Sequence, residues 1–201
     1  MNPEAQLATA ALGLGVALDA ATLARLLRYV ELLLFWNDRV NLTAIRDAGG
    51  VVQKHLVDSL SVAPHLPGRP HALVDVGSGA GFPGAVLAVV RPDLQVTLVE
   101  SNQKKAAFLK TLARELGLAR LTVIARRAET LPRGTFDVAT SRATLELPAW
   151  LALGATLVRP GGLVIGMEGA RRYALPLGAE RREYQIAGAK RALVLLPVPT
   201  T

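Results

Sequence analysis

Residues 72 to 84, Ala-Leu-Val-Asp-Val-Gly-Ser-Gly-Ala-Gly-Phe-Pro-Gly, join a short apolar run to a glycine-rich turn and the opening of a helix. Leu73, Val74 and Val76 are the β-branched and apolar residues expected of a central parallel strand, buried on both faces. Gly77, Gly79 and Gly81 follow at once. Glycine tolerates positive φ and, lacking a Cβ, lets a ligand lie against the backbone. In open α/β sheets the crevice at the carboxyl end of such a strand is where small molecules bind. A strand, turn and helix of this kind commit the chain to an α/β sheet.

Two cofactor classes use such a turn. A dinucleotide fingerprint requires Gly-x-Gly-x-x-Gly with a pyrophosphate on the helix N-terminus; here Phe82 stands where the third glycine belongs. An acid in the strand, Asp75, followed by Gly-x-Gly-x-Gly resembles the first motif of class I methyltransferases, which bind S-adenosylmethionine. That ligand carries no phosphate, so Phe82 is compatible with it. The second half of the site is expected at the end of the next strand, where an acid accepts from both ribose hydroxyls. Glu100 ends Gln95-Val96-Thr97-Leu98-Val99-Glu100, 23 residues after Gly77, close to the roughly 20 of a turn-helix-turn-strand unit. The bland alternative is a tight turn with Glu100 as a solvated strand end.

At 201 residues and 51% hydrophobic, the chain can bury one substantial core, which predicts a single domain with a small extension. The absence of cysteine excludes disulfides, iron-sulfur clusters and thiolate nucleophiles, and with them radical chemistry and cysteine-dependent cytosine methylation. No metal site is expected. Met1-Asn2-Pro3-Glu4 lacks the basic start of a signal peptide, and Asp19, Arg25 and Arg28 interrupt the apolar runs, so a cytoplasmic protein without a membrane anchor is expected, acting as a monomer. The net charge of +7 favours a polyanionic partner such as nucleic acid. Eighteen arginines against five lysines in an Ala- and Leu-rich chain offer base composition as a competing cause. Nine aromatics are too few for an extensive base-stacking platform.

In chain order, residues 3 to 12 read as a short helix opened by Pro3 and closed by Gly13 and Gly15. Asp19 caps a longer helix carrying a stripe of Leu23, Leu26, Leu27, Val30, Leu33 and Leu34 up to about Trp36. Phe35 and Trp36 are assigned to packing beside that stripe rather than to base stacking. The connection from Asn37 to Asp47 is polar but punctuated with apolar residues, and capping accounts for Asn41 or Asp47. A helix near Val51 to Val62 carries His55, Asp58 and Ser59; at i, i+3 and i+4 these project side by side instead of converging as a hydrolase triad. His55 either faces the crevice or bonds within the fold. Pro64, Pro67, Gly68 and Pro70 mark the passage into the sheet.

Beyond the glycine turn, helices are read at about 83–90, 102–116 and 146–158, and strands at 95–100, 121–125, 136–140 and 163–167. The turn holding Ala128 and Glu129 lies where an adenine would sit, with capping as the competing role of Glu129. Arg142 stands at the carboxyl edge of the fourth strand. The Asn/Asp-Pro-Pro-aromatic sequence of exocyclic-amine methyltransferases is absent there, which argues against adenine N6 or cytosine N4 as target. Residues 183–187 and 192–196, joined through Gly188, read as a closing antiparallel pair.

Together Asn41-Leu42-Thr43-Ala44-Ile45-Arg46-Asp47, Lys54-His55-Leu56-Val57-Asp58-Ser59-Leu60, Asp75 to Gly84, Leu98-Val99-Glu100-Ser101, Phe136-Asp137 and Ser141-Arg142-Ala143 resemble the bacterial 16S ribosomal RNA guanine-N7 methyltransferase family, RsmG or glucose-inhibited division protein B. The likeness spans about residues 30 to 170. It implies an α/β, Rossmann-like class I methyltransferase fold: a doubly wound, mostly parallel seven-stranded sheet at 67–201, with a helical extension at 1–66 packed on it. It also implies S-adenosylmethionine contacts at the matches Gly77, Phe82, Ala128, Glu129 and Arg142, beside the glycine-loop and acid positions Gly79 and Glu100. Asn41, His55 and Arg142 would border the RNA cleft as positioning groups, and 16S rRNA or the small subunit would be the substrate. Guanine N7 carries an in-plane lone pair and no proton, so transfer requires alignment and no general base. The chain departs from the family at Glu168, where a lysine is usual, and in a shortened stretch after Gly169. The acid prompts a rival reading as a noncatalytic RNA-binding homologue; a nicotinamide-dependent dehydrogenase is the more distant alternative.

Overall fold

A computed structural model describes residues 2–69, 71–142 and 144–200; Pro70 and Ala143, used above, lie outside the described residues, as do Met1 and Thr201. Helix α1 (Pro3–Gly13) opens on Asn2, whose side chain accepts from the Glu4 N–H. Asp19 caps α2 (Ala20–Val40) by accepting from Thr22 N–H. The second helix runs four residues past the expected Trp36 and stops where Asn41 takes a left-handed conformation, φ 49°. Next come an α turn, α3 (Ala48–Val51), a π-helical stretch (Val52–Val57) and a closing turn, α4 (Asp58–Leu60). Pi-helical turns recur at functional sites because they re-aim side chains.

The sheet begins with β1 (Ala72–Val76) and alternates with helices through α5 (Gly84–Val90), β2 (Gln95–Val99), α6 (Gln103–Glu115), β3 (Leu121–Ile124), β4 (Phe136–Arg142), α7 (Leu147–Leu157) and β5 (Val158–Glu168). A hairpin of β6 (Glu180–Ile186) and β7 (Ala189–Pro197) completes it. Its two-residue turn, Ala187-Gly188, has positive φ at both positions, the twist-matched geometry for a tight hairpin. Strand order is β3-β2-β1-β4-β5-β7-β6. Strands β1 to β5 pair in parallel and β7 runs antiparallel to both neighbours. This is the mostly parallel seven-stranded sheet expected of a class I methyltransferase. Four strands outrun their expected bounds: β4 continues to Arg142, β5 begins at Val158, taking Pro160-Gly161-Gly162 into a strand whose register against β4 shifts between Phe136 and Val138, β6 begins at Glu180 and β7 at Ala189.

Parity along β1 shows how the layers close. Leu73 packs with α1, α2, α5 and α6, whereas Val74 and Val76 face the other layer, with Trp150 of α7 at its centre. The Trp150 ring is 2% exposed and its Nε1–H donates to the Ile165 carbonyl at 3.0 Å. Helix α2 packs on α5 and α6, burying Leu26, Tyr29 and Leu33 in the same core as β1 and β2. Trp36 tilts against Phe108, 5.8 Å between ring centroids. Phe35 corrects the packing assignment: it is 61% exposed, with Arg39 over its ring. Strand order reverses between β1 and β4, so the glycine turn and Arg142 share the one edge where an open sheet leaves a crevice. No helix of the described residues is long and apolar enough to cross a membrane.

Candidate active site

The turn after β1 is built from backbone constraints. Gly77, Gly79 and Gly81 all have positive φ, and Ser78 ties the turn down by donating to the Asp75 carbonyl and accepting from Val99 N–H. A Cβ at Gly77 would run into the Thr144 side chain, and one at Gly81 into the Tyr29 hydroxyl, which itself donates to the Ala80 carbonyl at 2.6 Å. Gly79 is different: around it only the Gly77 carbonyl lies within 4 Å, and its N–H donates to Glu100 Oε2 at 2.9 Å. The other Glu100 oxygen accepts from Asn102 N–H at 2.7 Å. Glu100 is therefore an anchored acid beside an open glycine, 8% exposed, and not a solvated strand end.

Beneath the turn lies Asp75. Its Oδ2 accepts from Gly84 N–H at 3.0 Å, while Oδ1 is buried without a partner. Burial raises this carboxyl to about 7, against which the Gly84 and Ser78 hydrogen bonds lower it. A fixed acid, Glu100, beside an open glycine, Gly79, fits a ligand that brings its own hydroxyl donors, as S-adenosylmethionine does. Ala128 and Glu129 lie on a short 3-10 turn (Ala128–Thr130) after β3, the alanine buried and the acid exposed.

The raised Asp75 carboxyl has a consequence for stability. The folded protein holds a proton that the unfolded chain releases near pH 3.8, so this group's contribution is complete below that pH and is lost as pH rises through about 7. Asp75→Asn keeps the acceptor for Gly84 and cannot ionise. Urea titrations of the wild type at pH 5 and pH 8 are expected to show a fall in stability that the variant lacks.

A cleft of about 920 Å³ lies between the 43–58 region and the ends of β4 and β5; of the anticipated cofactor contacts Arg142 lines it, and Gly77, Gly79, Phe82, Glu100, Ala128 and Glu129 do not. Arg142 organises it. Its guanidinium donates to Asp58 Oδ2 at 3.1 Å and to the Lys54 carbonyl at 3.4 Å, and contacts His55 Nδ1 at 3.2 Å. It lies 5.0 Å from the Phe82 ring centroid, on a ring that also stacks with His55 and Tyr29. Asp58 Oδ1 accepts from the Tyr184 hydroxyl of β6 at 2.9 Å, and His55 Nε2 meets Thr43 Oγ1 at 2.7 Å. Desolvation first, and the Arg142 charge second, lower the His55 imidazole to about 4, so it is neutral at pH 7. Ser59 takes no part in a triad; its hydroxyl donates to the His55 carbonyl.

Of the residues anticipated for the cleft, Arg142 and His55 come together and Asn41 does not. Asn41 is exposed at the end of α2, outside the cleft lining, with Arg46 at its side chain. What the Asn-Leu-Thr stretch brings to the cleft is Thr43, held by its neighbour Asn37: the Asn37 side chain accepts from Thr43 N–H and donates to the Thr43 and Ile45 carbonyls. Thr43, Tyr184 and Thr144 are not singled out by the sequence, and Asp58 stands out in it only as a member of the rejected triad. Contacts mark them: Asp58 with Arg142, Tyr184 with Asp58, Thr43 with His55 and Thr144 with Gly77. Glu168 is not a charge reversal aimed at RNA either. It is 4% exposed, accepts from Arg181 at 2.7 and 3.1 Å and from Tyr173 N–H at 3.0 Å, and lies 3.5 Å from Arg172. Two arginines thus neutralise the acid internally. Among the described residues no group of three or more His, Asp or Glu side chains could hold a metal.

Comparison with known proteins places this geometry. The family model for rRNA small subunit methyltransferase G (GidB) matches residues 22–195. Ribosomal RNA small subunit methyltransferase G of Xanthomonas axonopodis pv. citri is 46% identical over 167 residues, 81% of this chain and 78% of the relative. The protein of that name from Aromatoleum aromaticum is 49% identical over 161 residues, 78% and 76% of the two chains. Among solved structures, TrmN from Thermus thermophilus aligns with TM-score 0.59 at 20% identity, covering 81% of this chain and 53% of its own. A SAM-dependent methyltransferase from Aquifex aeolicus aligns with TM-score 0.55 at 15% identity, over 74% and 93%. The two structures share the fold, and the sequence matches share far more. The chain belongs to the rRNA small subunit methyltransferase G family.

Proposed function

We propose that the protein transfers a methyl group from S-adenosylmethionine to N7 of a guanine in small-subunit ribosomal RNA. The cofactor supplies an activated methyl on a sulfonium centre. The chain's residues do the rest by holding and orienting. Gly79 keeps one face of the turn open, Glu100 is fixed beside it as an acceptor for ribose hydroxyls, and Arg142 is clamped at the neighbouring strand end.

One observation carries the choice of N7. Every carboxylate lining the cleft is already engaged: Asp58 by Arg142 and Tyr184, Glu168 by Arg181 and Arg172, Glu146 by Arg171 and Tyr173. His55 Nδ1 faces the Arg142 guanidinium. A site whose acceptors are occupied suits a nucleophile that arrives with its own lone pair and has no proton to lose, and N7 is that atom. The noncatalytic reading drew on Glu168, and the internal pairing of Glu168 removes its motive.

The test uses purified protein, S-adenosylmethionine and small subunits lacking the modification. Borohydride reduction and aniline cleavage are expected to break the rRNA at a single new N7-methylguanosine. Methyl incorporation without such a cleavage site, or no incorporation, refutes the proposal.

A further inference from the structure

Both purines present an N7 lone pair to the major-groove side, so N7 alone does not define the base. The neighbouring atom does, because guanine has an acceptor at O6 where adenine has an amino donor. Selection of guanine therefore calls for a fixed donor beside the reacting atom. The cleft contains one in Thr43.

The assignment follows from counting hydrogens around His55. Arg142 can only donate, and its guanidinium lies 3.2 Å from His55 Nδ1, so Nδ1 is the unprotonated, accepting nitrogen. The opposite tautomer would aim an Nδ1–H at the Lys54 carbonyl 3.1 Å away, but only by setting it against a cationic N–H; that carbonyl already receives a hydrogen from Arg142. The tautomer is thus fixed by the network. The ring hydrogen then sits on Nε2 and is donated to Thr43 Oγ1 at 2.7 Å. Ile45 N–H donates to the same oxygen at 3.2 Å. A hydroxyl has two acceptor positions and one hydrogen. Both acceptor positions are filled, and among the described residues no acceptor takes the hydrogen. Thr43 lines the cleft.

We propose that the Thr43 hydroxyl donates its hydrogen to guanine O6, making Thr43 a specificity-determining residue that admits guanine and rejects adenine at the methylation site. The inference rests on the guanine-N7 reading above. Adenine in the same pose would bring an amino hydrogen against the Thr43 hydroxyl hydrogen, and reorientation of the hydroxyl is opposed because both its lone pairs are held. Arg142 acts through His55 here: by claiming Nδ1 it turns the imidazole into a donor, and the imidazole turns Thr43 into one.

Two measurements test this. Nitrogen-15 spectra of the histidines in the free protein are expected to show His55 neutral and protonated at Nε2; an Nδ1-protonated ring overturns the proposal whatever the activity. The second uses small subunits reconstituted with either guanine or 2-aminopurine at the mapped site, the analogue keeping N7 and lacking O6. Thr43→Val also strands the His55 Nε2–H and the Ile45 N–H, a loss common to both bases, so it is expected to slow transfer to guanine by about 10- to 100-fold more than transfer to 2-aminopurine, while Thr43→Ser stays within about 3-fold of wild type on guanine. S-adenosylmethionine affinity, measured by calorimetry, should be unchanged in both. Equal losses of Thr43→Val on the two bases, or no loss on guanine, overturn the Thr43 role alone. A wild type that modifies no N7 overturns the functional reading and this one with it.

Discussion

Replacing Arg142 with alanine is expected to lower methyl transfer by about 100-fold or more and to destabilise the protein by roughly 3 kcal/mol. Both effects have one origin. The Asp58 side chain is 8% exposed and the Arg142 side chain 18% exposed, so removing the cation strands a carboxylate where water does not replace it. Tyr184 remains as a partner, which holds the estimate at the lower end of the range for a broken buried pair. For a chain of this size the thermal midpoint should fall by about 6 to 12 °C. Catalysis is lost because the guanidinium also bridges Lys54 and His55 and lies over Phe82. Arg142→Lys separates the two effects. An ammonium restores the charge beside Asp58 but lacks the planar fork that reaches several acceptors at once. It should recover most of the stability and little of the activity. Recovery of both by lysine would show that Arg142 acts as a charge alone.

The sequence showed the scaffold more clearly than the cleft, for a physical reason. Strands, helices and the glycine turn are recorded in local periodicity and in residues with special backbone needs, so Gly77, Glu100 and the β6–β7 hairpin could be placed from neighbours in the chain. Where bounds were missed, tertiary pairing had extended the element: β4 reaches Arg142 because Ser141 and Arg142 pair with Gly166 and Met167 of β5. The cleft depends on contacts between residues far apart in sequence, such as Asp58 with Tyr184 and Arg142 with His55, and no periodicity reports these. Asn41 was drawn toward the site by the Asn-Leu-Thr motif. In the fold, the asparagine ends a helix with positive φ and the threonine faces the cleft. Glu168 misled for the complementary reason. Its sign was visible, but Arg181 on another strand was not recognisable as its partner.

Gly77→Asp should abolish measurable S-adenosylmethionine binding, a loss of at least about 100-fold, while leaving the protein folded. The backbone cost is modest: φ is +67°, and aspartate enters the left-handed region more readily than most residues, at about 1 kcal/mol. The larger effect is spatial. The new Cβ collides with the Thr144 side chain, its Cβ included, so residue 144 must shift as well as turn, and the carboxylate then occupies the mouth of the turn between the ends of β1 and β4. Gly134 supplies the control. It has nearly the same conformation, φ +62°, and a Cβ added there would meet nothing within 4 Å, so Gly134→Ala carries the strain without the collision. Calorimetry on both variants should find wild-type affinity in Gly134→Ala and none in Gly77→Asp, with the larger fall in urea midpoint in Gly77→Asp, where the collision adds to the strain. If Gly77→Asp bound the cofactor as tightly as wild type, the ligand would have to sit away from the first glycine, and the crevice at the end of β1 would not be its site.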